Sequence, residues 1–318
     1  MKIAFYSPHI CIRGTTVALY DYAYYNEKIL NNESLVIYDK KDHRNDASTI
    51  EKFSKTLNCV AIDSISDLDS TLLAHSCDAV YIIKCGYKND GRMASACKTL
   101  IHVIGTAPAS EAHGDVYAYG SHWLSQECSN GKLPAVPYMV DLPELDKDLR
   151  DDFNIPKEAI VFGRNGGIDS WSLPFVSDTI RQILSTREDI YFFFQNTPRF
   201  YDHPNIIHAQ ATADMEYKTK FINTSDAMIH ARLEGESFGL SCGEFSIRNK
   251  PVITWDGSRE RNHIYVLGDK GIYYNNSEQL YDIFSQFKKE PQKNWNAYQE
   301  YTPEKIMPIF EEVFLKWK

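Results

Sequence analysis

With 318 residues, 43% of them hydrophobic, the chain is long enough for about two domains of roughly 150 residues each. Twenty tyrosines and sixteen phenylalanines exclude a disordered chain, because they supply ample apolar area for two cores. The formal net charge of -9 gives no general attraction to nucleic acid or anionic lipid, so no nucleic-acid partner is expected, while a local cationic pocket and peripheral contact at a membrane surface stay open.

Residues 2–7 read as a buried strand and 8–14 as a loop. From 15 to 30, Val17, Leu19, Tyr20, Ala23 and Tyr24 recur at helical spacing, with Gly14 or Thr15 near the start. Strands are expected at 34–38 and 59–62, with a helix over 50–57 between them. A short helix at 67–74 and strands at 79–84, 99–104 and 116–119 complete the first half. Short apolar runs separated by helices predict a parallel sheet covered on both faces. Three prolines within 134–143, then the charged run 144–152, mark the expected linker.

The same rhythm restarts beyond it. Strands are predicted at 160–163, 190–195, 206–208, 226–231, 251–254 and 271–274, and helices at 174–186, 214–224, 238–248 and 277–287. The tail, 302–318, has Thr302 as N-cap, Pro303 at the first helical position and Glu304 as an early acid. Ile306, Phe310, Val313, Phe314 and Trp317 fall on one face of it. The expectation is an α/β chain of two doubly wound, Rossmann-like domains facing each other across a cleft. They span 1–142 and 143–300, with the helix at 301–318 packing back on the first. Ligands in open parallel sheets bind beyond the carboxyl ends of the strands, which puts the site in that cleft.

Seven cysteines, an odd number with no C-x-x-C pair, argue against a disulfide framework or a structural zinc site and for a reducing, cytoplasmic compartment. No run of about 18 apolar residues occurs, so no transmembrane helix is expected. The first residues run straight into a strand-like segment, without an apolar signal region and cleavage site.

The segment carrying the most chemistry is 230–244, His-Ala-Arg-Leu-Glu-Gly-Glu-Ser-Phe-Gly-Leu-Ser-Cys-Gly-Glu. It leaves a predicted strand and enters a helix expected to begin near Ser237 or Phe238. A helix start carries unpaired N–H groups and about half a positive charge, a natural seat for phosphate. Gly239 lets a ligand approach the backbone. Glu236 stands just before the helix, and Glu244 about two turns inside it.

These residues resemble a known family. Glu236-Ser-Phe-Gly-Leu-Ser-Cys-Gly-Glu244 looks like the Glu-x7-Glu signature of the retaining GT-B glycosyltransferases of group 1, or family 4-like, type. Asn249-Lys-Pro-Val-Ile253 resembles the strand that follows it there, and Phe162-Gly-Arg164 the opening of the family's second domain. The resemblance implies transfer of a sugar from a nucleotide-diphosphate donor, UDP- or GDP-linked, to a glycan or other hydroxyl acceptor. Retention at the anomeric carbon, and neither a metal nor a separate cofactor, are implied with it. Glu236 would contact the transferred sugar, Glu244 the ribose and Arg164 the diphosphate. The backbone of Ser237, Phe238, Gly239 and Leu240 would complete the cradle. Gly14 stands where the family has its glycine-rich first loop, and His102 where many members have a donor-contacting histidine. One departure is plain: the family's lysine a few residues after the arginine is missing from Arg164-Asn-Gly-Gly-Ile-Asp-Ser-Trp-Ser172, and Arg13 is a candidate substitute.

Other readings compete. A GT-B relic that holds a nucleotide or glycan without turning it over would suit the missing lysine. Gly239-Leu-Ser-Cys-Gly243 fits the G-x-S-x-G hydrolase pattern, with Asp256 and His263 following in the right order. That pattern, however, needs its serine on a turn directly between strand and helix, and Ser241 is expected inside the helix. Asp67-Leu-Asp69 fits a metal-binding Asp-x-Asp, but an acid at a helix start caps it. The absence of a G-x-G-x-x-G pattern near Gly14 speaks against a nicotinamide dehydrogenase.

Overall fold

The computed structural model describes residues 1–91 and 93–316. The chain falls into two compact units: Met1–Met139 with the chain from Tyr301 on, and Val140–Glu300.

The first unit holds a six-stranded parallel sheet built from β1 (Lys2–Ser7), β2 (Glu33–Asp39), β3 (Asn58–Ile62), β4 (Ala79–Lys84), β5 (Lys98–Val103) and β6 (Val116–Tyr119), in the order β3-β2-β1-β4-β5-β6. Helices α1 (Gly14–Lys28), α2 (Ala47–Thr56), α3 (Leu68–Ala74) and α4 (His122–Ser129) connect the strands or follow the last. The middle strands are apolar runs because both faces are covered; all six residues of β4 are buried. Polar residues set the helix starts. The Asp46 carboxylate accepts from Thr49 N at 2.8 Å, and the Ser121 hydroxyl from Leu124 N at 3.1 Å. Helix α4 is one element that the sequence reading does not anticipate.

The second unit repeats the plan with β7 (Ile160–Asn165), β8 (Ile190–Gln195), β9 (Ile206–Ala209), β10 (Ala227–His230), β12 (Val252–Trp255) and β14 (Gly271–Tyr274), all parallel, in the order β14-β12-β10-β7-β8-β9. Two short strands, β11 (Gly235–Glu236) and β13 (Glu260–Arg261), pair with each other in parallel. The helices are α5 (Pro174–Leu184), α6 (Met215–Thr224), α7 (Leu240–Ile247), α8 (Asn262–Leu267) and α9 (Ser277–Gln286). Gly163 sits in mid-strand because Ser225 crowds it: a Cβ there would lie 2.0 Å from the Ser225 hydroxyl oxygen. The charged run at 144–152 is fastened to this unit. Leu149 N donates to Thr224 Oγ1 at 2.8 Å, and Arg150 pairs with Asp226 at 3.0 Å.

The last helix, α10 (Pro303–Phe310), belongs to the first unit, where Phe310 stacks on Tyr22 with ring centroids 4.9 Å apart. The expected single helix over 302–318 is not formed. Beyond Phe310 the turns widen to a π-helix over Glu311–Leu315. The wider turn buries Leu315 along with Ile306, Phe310 and Phe314, and leaves Val313 only partly covered. Trp317, expected on the same face, lies outside the described residues. Among the described residues no helix is long and apolar enough to cross a membrane.

Candidate active site

In the second sheet the strand order reverses beside β7, the first of its strands in the chain, and β10 is the neighbour on one side. Ligand crevices in open α/β sheets form at the carboxyl ends of strands at such a point. β10 ends there with His230, and the chain turns back through Arg232, whose carbonyl accepts from Gly235 N at 3.2 Å.

Glu236, in β11, then faces inward. The helix expected from Ser237 or Phe238 starts later, at Leu240. Gly239 is its N-cap in a left-handed conformation with φ 93°, so Ser237 and Phe238 precede the helix. A Cβ at Gly239 would lie 2.9 Å from His263 Cβ and 3.1 Å from the Tyr298 hydroxyl oxygen, so both backbone angle and space call for glycine. The Phe238 carbonyl is pinned by Asn262 Nδ2 at 2.8 Å and the Tyr298 hydroxyl at 3.2 Å. The first N–H groups of α7 have no acceptor inside the helix, and no side chain caps it. Glu244 therefore lies little more than one turn into α7, not two.

The Glu236 carboxylate is clamped. Oε1 is 3.1 Å from His230 Nε2, and Oε2 is 3.0 Å from Arg232 Nη1. Behind His230 runs a buried polar chain: His230 Nδ1 is 2.8 Å from Thr254 Oγ1, which is 3.1 Å from His263 Nε2. Burial alone would raise the Glu236 pKa. The hydrogen bond and charge of His230, then Arg232 and His263, outweigh it and hold the group at about 2. Burial drives His263 the other way, well below the ordinary histidine range. Glu260, in the neighbouring strand β13, is pushed up to about 7 by burial, with Arg232 opposing and Glu236 and Glu234 adding to the rise.

Arg164, at the end of β7, is buried and its terminal nitrogens are engaged. Nη1 donates to the Asn196 carbonyl at 3.0 Å and to Thr197 Oγ1; Nη2 donates to the Gly167 carbonyl at 2.8 Å and Ser170 Oγ at 2.7 Å. Burial lowers its pKa to about 10, which leaves it charged at neutral pH. Glu244 is also buried. Its Oε1 accepts from Lys218 Nζ of α6 at 2.7 Å, and its Oε2 stands 3.5 Å from Asn165 Nδ2. Nothing local in the sequence announces Lys218, because its partner is 26 residues away.

The second unit thus gathers Glu236, Ser237, Phe238, Gly239 and Leu240 at one strand end, with His230, Arg232, Thr254 and His263 joining Glu236. In the first unit, Gly14 opens α1 and is exposed, as is Arg13, whose carbonyl accepts from Thr16 N and Val17 N. His102 lies in the core. Its Nε2 donates to the Val136 carbonyl at 2.8 Å, and its Nδ1 accepts from the Tyr81 hydroxyl. Tyr22, Tyr138 and Phe314 rings surround it. Burial lowers its pKa to about 3, so the ring is neutral and both nitrogens are spoken for.

The decoys resolve into ordinary contacts. Ser241 is the second residue of α7, Asp256 pairs with Arg261 at 2.9 Å, and His263 bonds Thr254. Asp69 accepts from Ser95 N and Ser95 Oγ, and Asp67 closes a capping box with Ser64. Among the described residues no group of three or more His, Cys, Asp or Glu is placed to hold a metal ion.

No protein-family model and no curated protein sequence matches this chain. Solved structures do. Anabaena Alr3699/HepE in complex with UDP and glucose aligns with a TM-score of 0.73 at 14% identity, over 98% of each chain. A glycosyltransferase from Rickettsia africae aligns at 0.71 and 14% identity, over 99% of each. MurG of Acinetobacter baumannii aligns at 0.55 and 11% identity, over 98% of this chain and 99% of its own. The likeness is one of fold: two parallel-sheet α/β domains of six strands each, of GT-B type.

Proposed function

We propose that this protein is a glycosyltransferase that moves a sugar from a nucleotide-diphosphate donor, UDP- or GDP-linked, to a hydroxyl of a glycan or other acceptor. The observation that carries the reading is the clamped, ionised Glu236 beside the glycine-capped start of α7, on a GT-B fold. A carboxylate fixed by two donors is a hydrogen-bond acceptor for the hydroxyls of a sugar. The α7 N–H groups favour the phosphate that must sit next to that sugar. Glu244 remains the candidate for the ribose.

The bond that breaks joins the anomeric carbon to a phosphate oxygen, which keeps the electron pair. The acceptor oxygen forms the new bond, and its proton passes to the departing diphosphate. Negative charge grows on the diphosphate, where one preorganised donor is worth about 2.7–4 kcal/mol. Helix dipole and cations together do the work of a divalent metal in this reading, so turnover needs none. Retention rests on the Glu-x7-Glu resemblance.

The test is release of UDP or GDP from sugar nucleotides in the presence of EDTA. Wild type releases one of them, and Glu236→Ala abolishes release while keeping its far-ultraviolet circular dichroism. Near-normal turnover in that variant sinks the assignment. A non-catalytic nucleotide binder is the second reading, favoured by the inward engagement of Arg164. Tight nucleotide binding without any donor cleavage would establish it.

A further inference from the structure

Two arginines approach Glu236, and they are used in opposite ways. Arg164 is 3% exposed and spends Nη1 and Nη2 on the segments at 166–170 and 196–197, with its guanidinium 5.6 Å from the Trp171 ring centroid. Its side chain ties two loops together, and a ligand reaching Nη1 or Nη2 would have to break those bonds.

Arg232 is one-third exposed and makes one bond, from Nη1 to Glu236 Oε2 at 3.0 Å. Among the described residues Nε and Nη2 have no partner. Those two nitrogens form the side-on fork of a guanidinium, two parallel donors spaced to fit two oxygens of one phosphate. The bond through Nη1 holds the plane of the group, so the fork is preorganised. Glu236 Cβ lies 3.4 Å from the Cβ position of Gly239, so one carboxylate separates Arg232 from the start of α7. Glu260 and Glu234 also act on Arg232, but Glu234 is paired with Arg259 at 3.3 Å and burial holds back the ionisation of Glu260.

We propose that Arg232, rather than Arg164, is the side chain that receives the diphosphate of the nucleotide donor, through its Nε–Nη2 fork, and that Arg164 is a positioning residue for the loops beside it. This rests on the nucleotide-sugar reading above. The anion sits between the fork and the α7 N–H groups, and Glu236 aligns the guanidinium while accepting from the sugar.

Titration calorimetry with UDP and GDP, and with uridine and guanosine as controls lacking phosphate, separates the two levels of the argument. Wild type binds one diphosphate well above its nucleoside. Arg232→Gln weakens that diphosphate at least tenfold and leaves the nucleoside unchanged, and Arg232→Lys restores only part, because an ammonium has no fork. Raising the salt from 50 to 500 mM weakens diphosphate binding more in wild type than in Arg232→Gln. Equal diphosphate affinity, within twofold, in wild type and both variants overturns the assignment of Arg232 and leaves the nucleotide-sugar reading standing. Failure of wild type to bind either diphosphate overturns that reading, and this one with it.

Discussion

The hydrogen bond between His230 and Glu236 runs in one direction only. An ionised carboxylate can only accept, so His230 Nε2 carries the proton in this bond. On its other side, His230 Nδ1 shares a hydrogen bond with the Thr254 hydroxyl, which also bonds His263 Nε2. Among the described residues this buried chain ends at His263 Nδ1, which has no hydrogen-bond partner.

Thr254→Val tests that chain. The variant keeps the shape of the side chain and removes the hydroxyl that fixes both rings. It leaves buried nitrogens unsatisfied at about 1–3 kcal/mol. Steady-state kinetics should show kcat for donor turnover falling roughly tenfold, an effect worth about 1.4 kcal/mol, with KM little changed. An unaltered kcat would mean that the orientation of the His230 ring does not matter to Glu236.

Lys218 and Glu244 form a buried ion pair at 2.7 Å. Removing one member leaves the other charge uncompensated, at about 3–5 kcal/mol. Lys218→Met should therefore lower unfolding free energy in urea by about that much, and Lys218→Met combined with Glu244→Gln should recover most of the loss. Additive losses in the double variant would show that the two side chains do not depend on each other.

Glu260 makes stability fall as pH rises. Its folded pKa is raised to about 7 from an ordinary value of 4.5, chiefly by burial. Between those values the folded chain holds a proton that the unfolded chain has lost, so the cost is absent below about pH 4.5, grows through the window and is complete above about pH 7. Glu260→Gln should match wild type near pH 4 and exceed it at pH 8 by on the order of 1 kcal/mol, read as a melting temperature about 2–4 °C higher. A constant difference across the range would exclude the carboxyl as its source.

Ser241→Ala should leave donor turnover within twofold, since Ser241 lies inside α7 and Asp256 and His263 are committed elsewhere. Complete loss of activity would revive the hydrolase reading.

Strands buried on both faces were legible from sequence: 79–84 and 190–195, each an apolar run closed by one polar residue, have the observed bounds. The start of α7 was not, because the pattern Ser-Phe-Gly reads as a helix beginning, while the left-handed backbone of Gly239 delays it to Leu240. β11 and β13 have two residues each, too few for any periodicity. Glu236 stood out as a candidate because the local run Glu236–Glu244 resembles the Glu-x7-Glu signature. The engagement of Arg164 and the partners of Glu244 and His230 could not be picked out, since Thr197, Lys218 and Thr254 lie 24 to 33 residues away along the chain. Local spacing announces an element; the fate of a charge depends on what the fold brings beside it.

The return of the chain to its first unit at Tyr301 has a bearing on synthesis. Phe310 and Phe314 close the ring cluster around Tyr22, Tyr81 and His102, so that unit is not sealed until these residues have been made. At about 5–20 residues per second, the whole of Val140–Glu300 must be made first, a delay of roughly ten to thirty seconds. During that time the second unit, continuous in the chain, is free to fold, while the unit made first stays unsealed and exposed to chaperones and proteases.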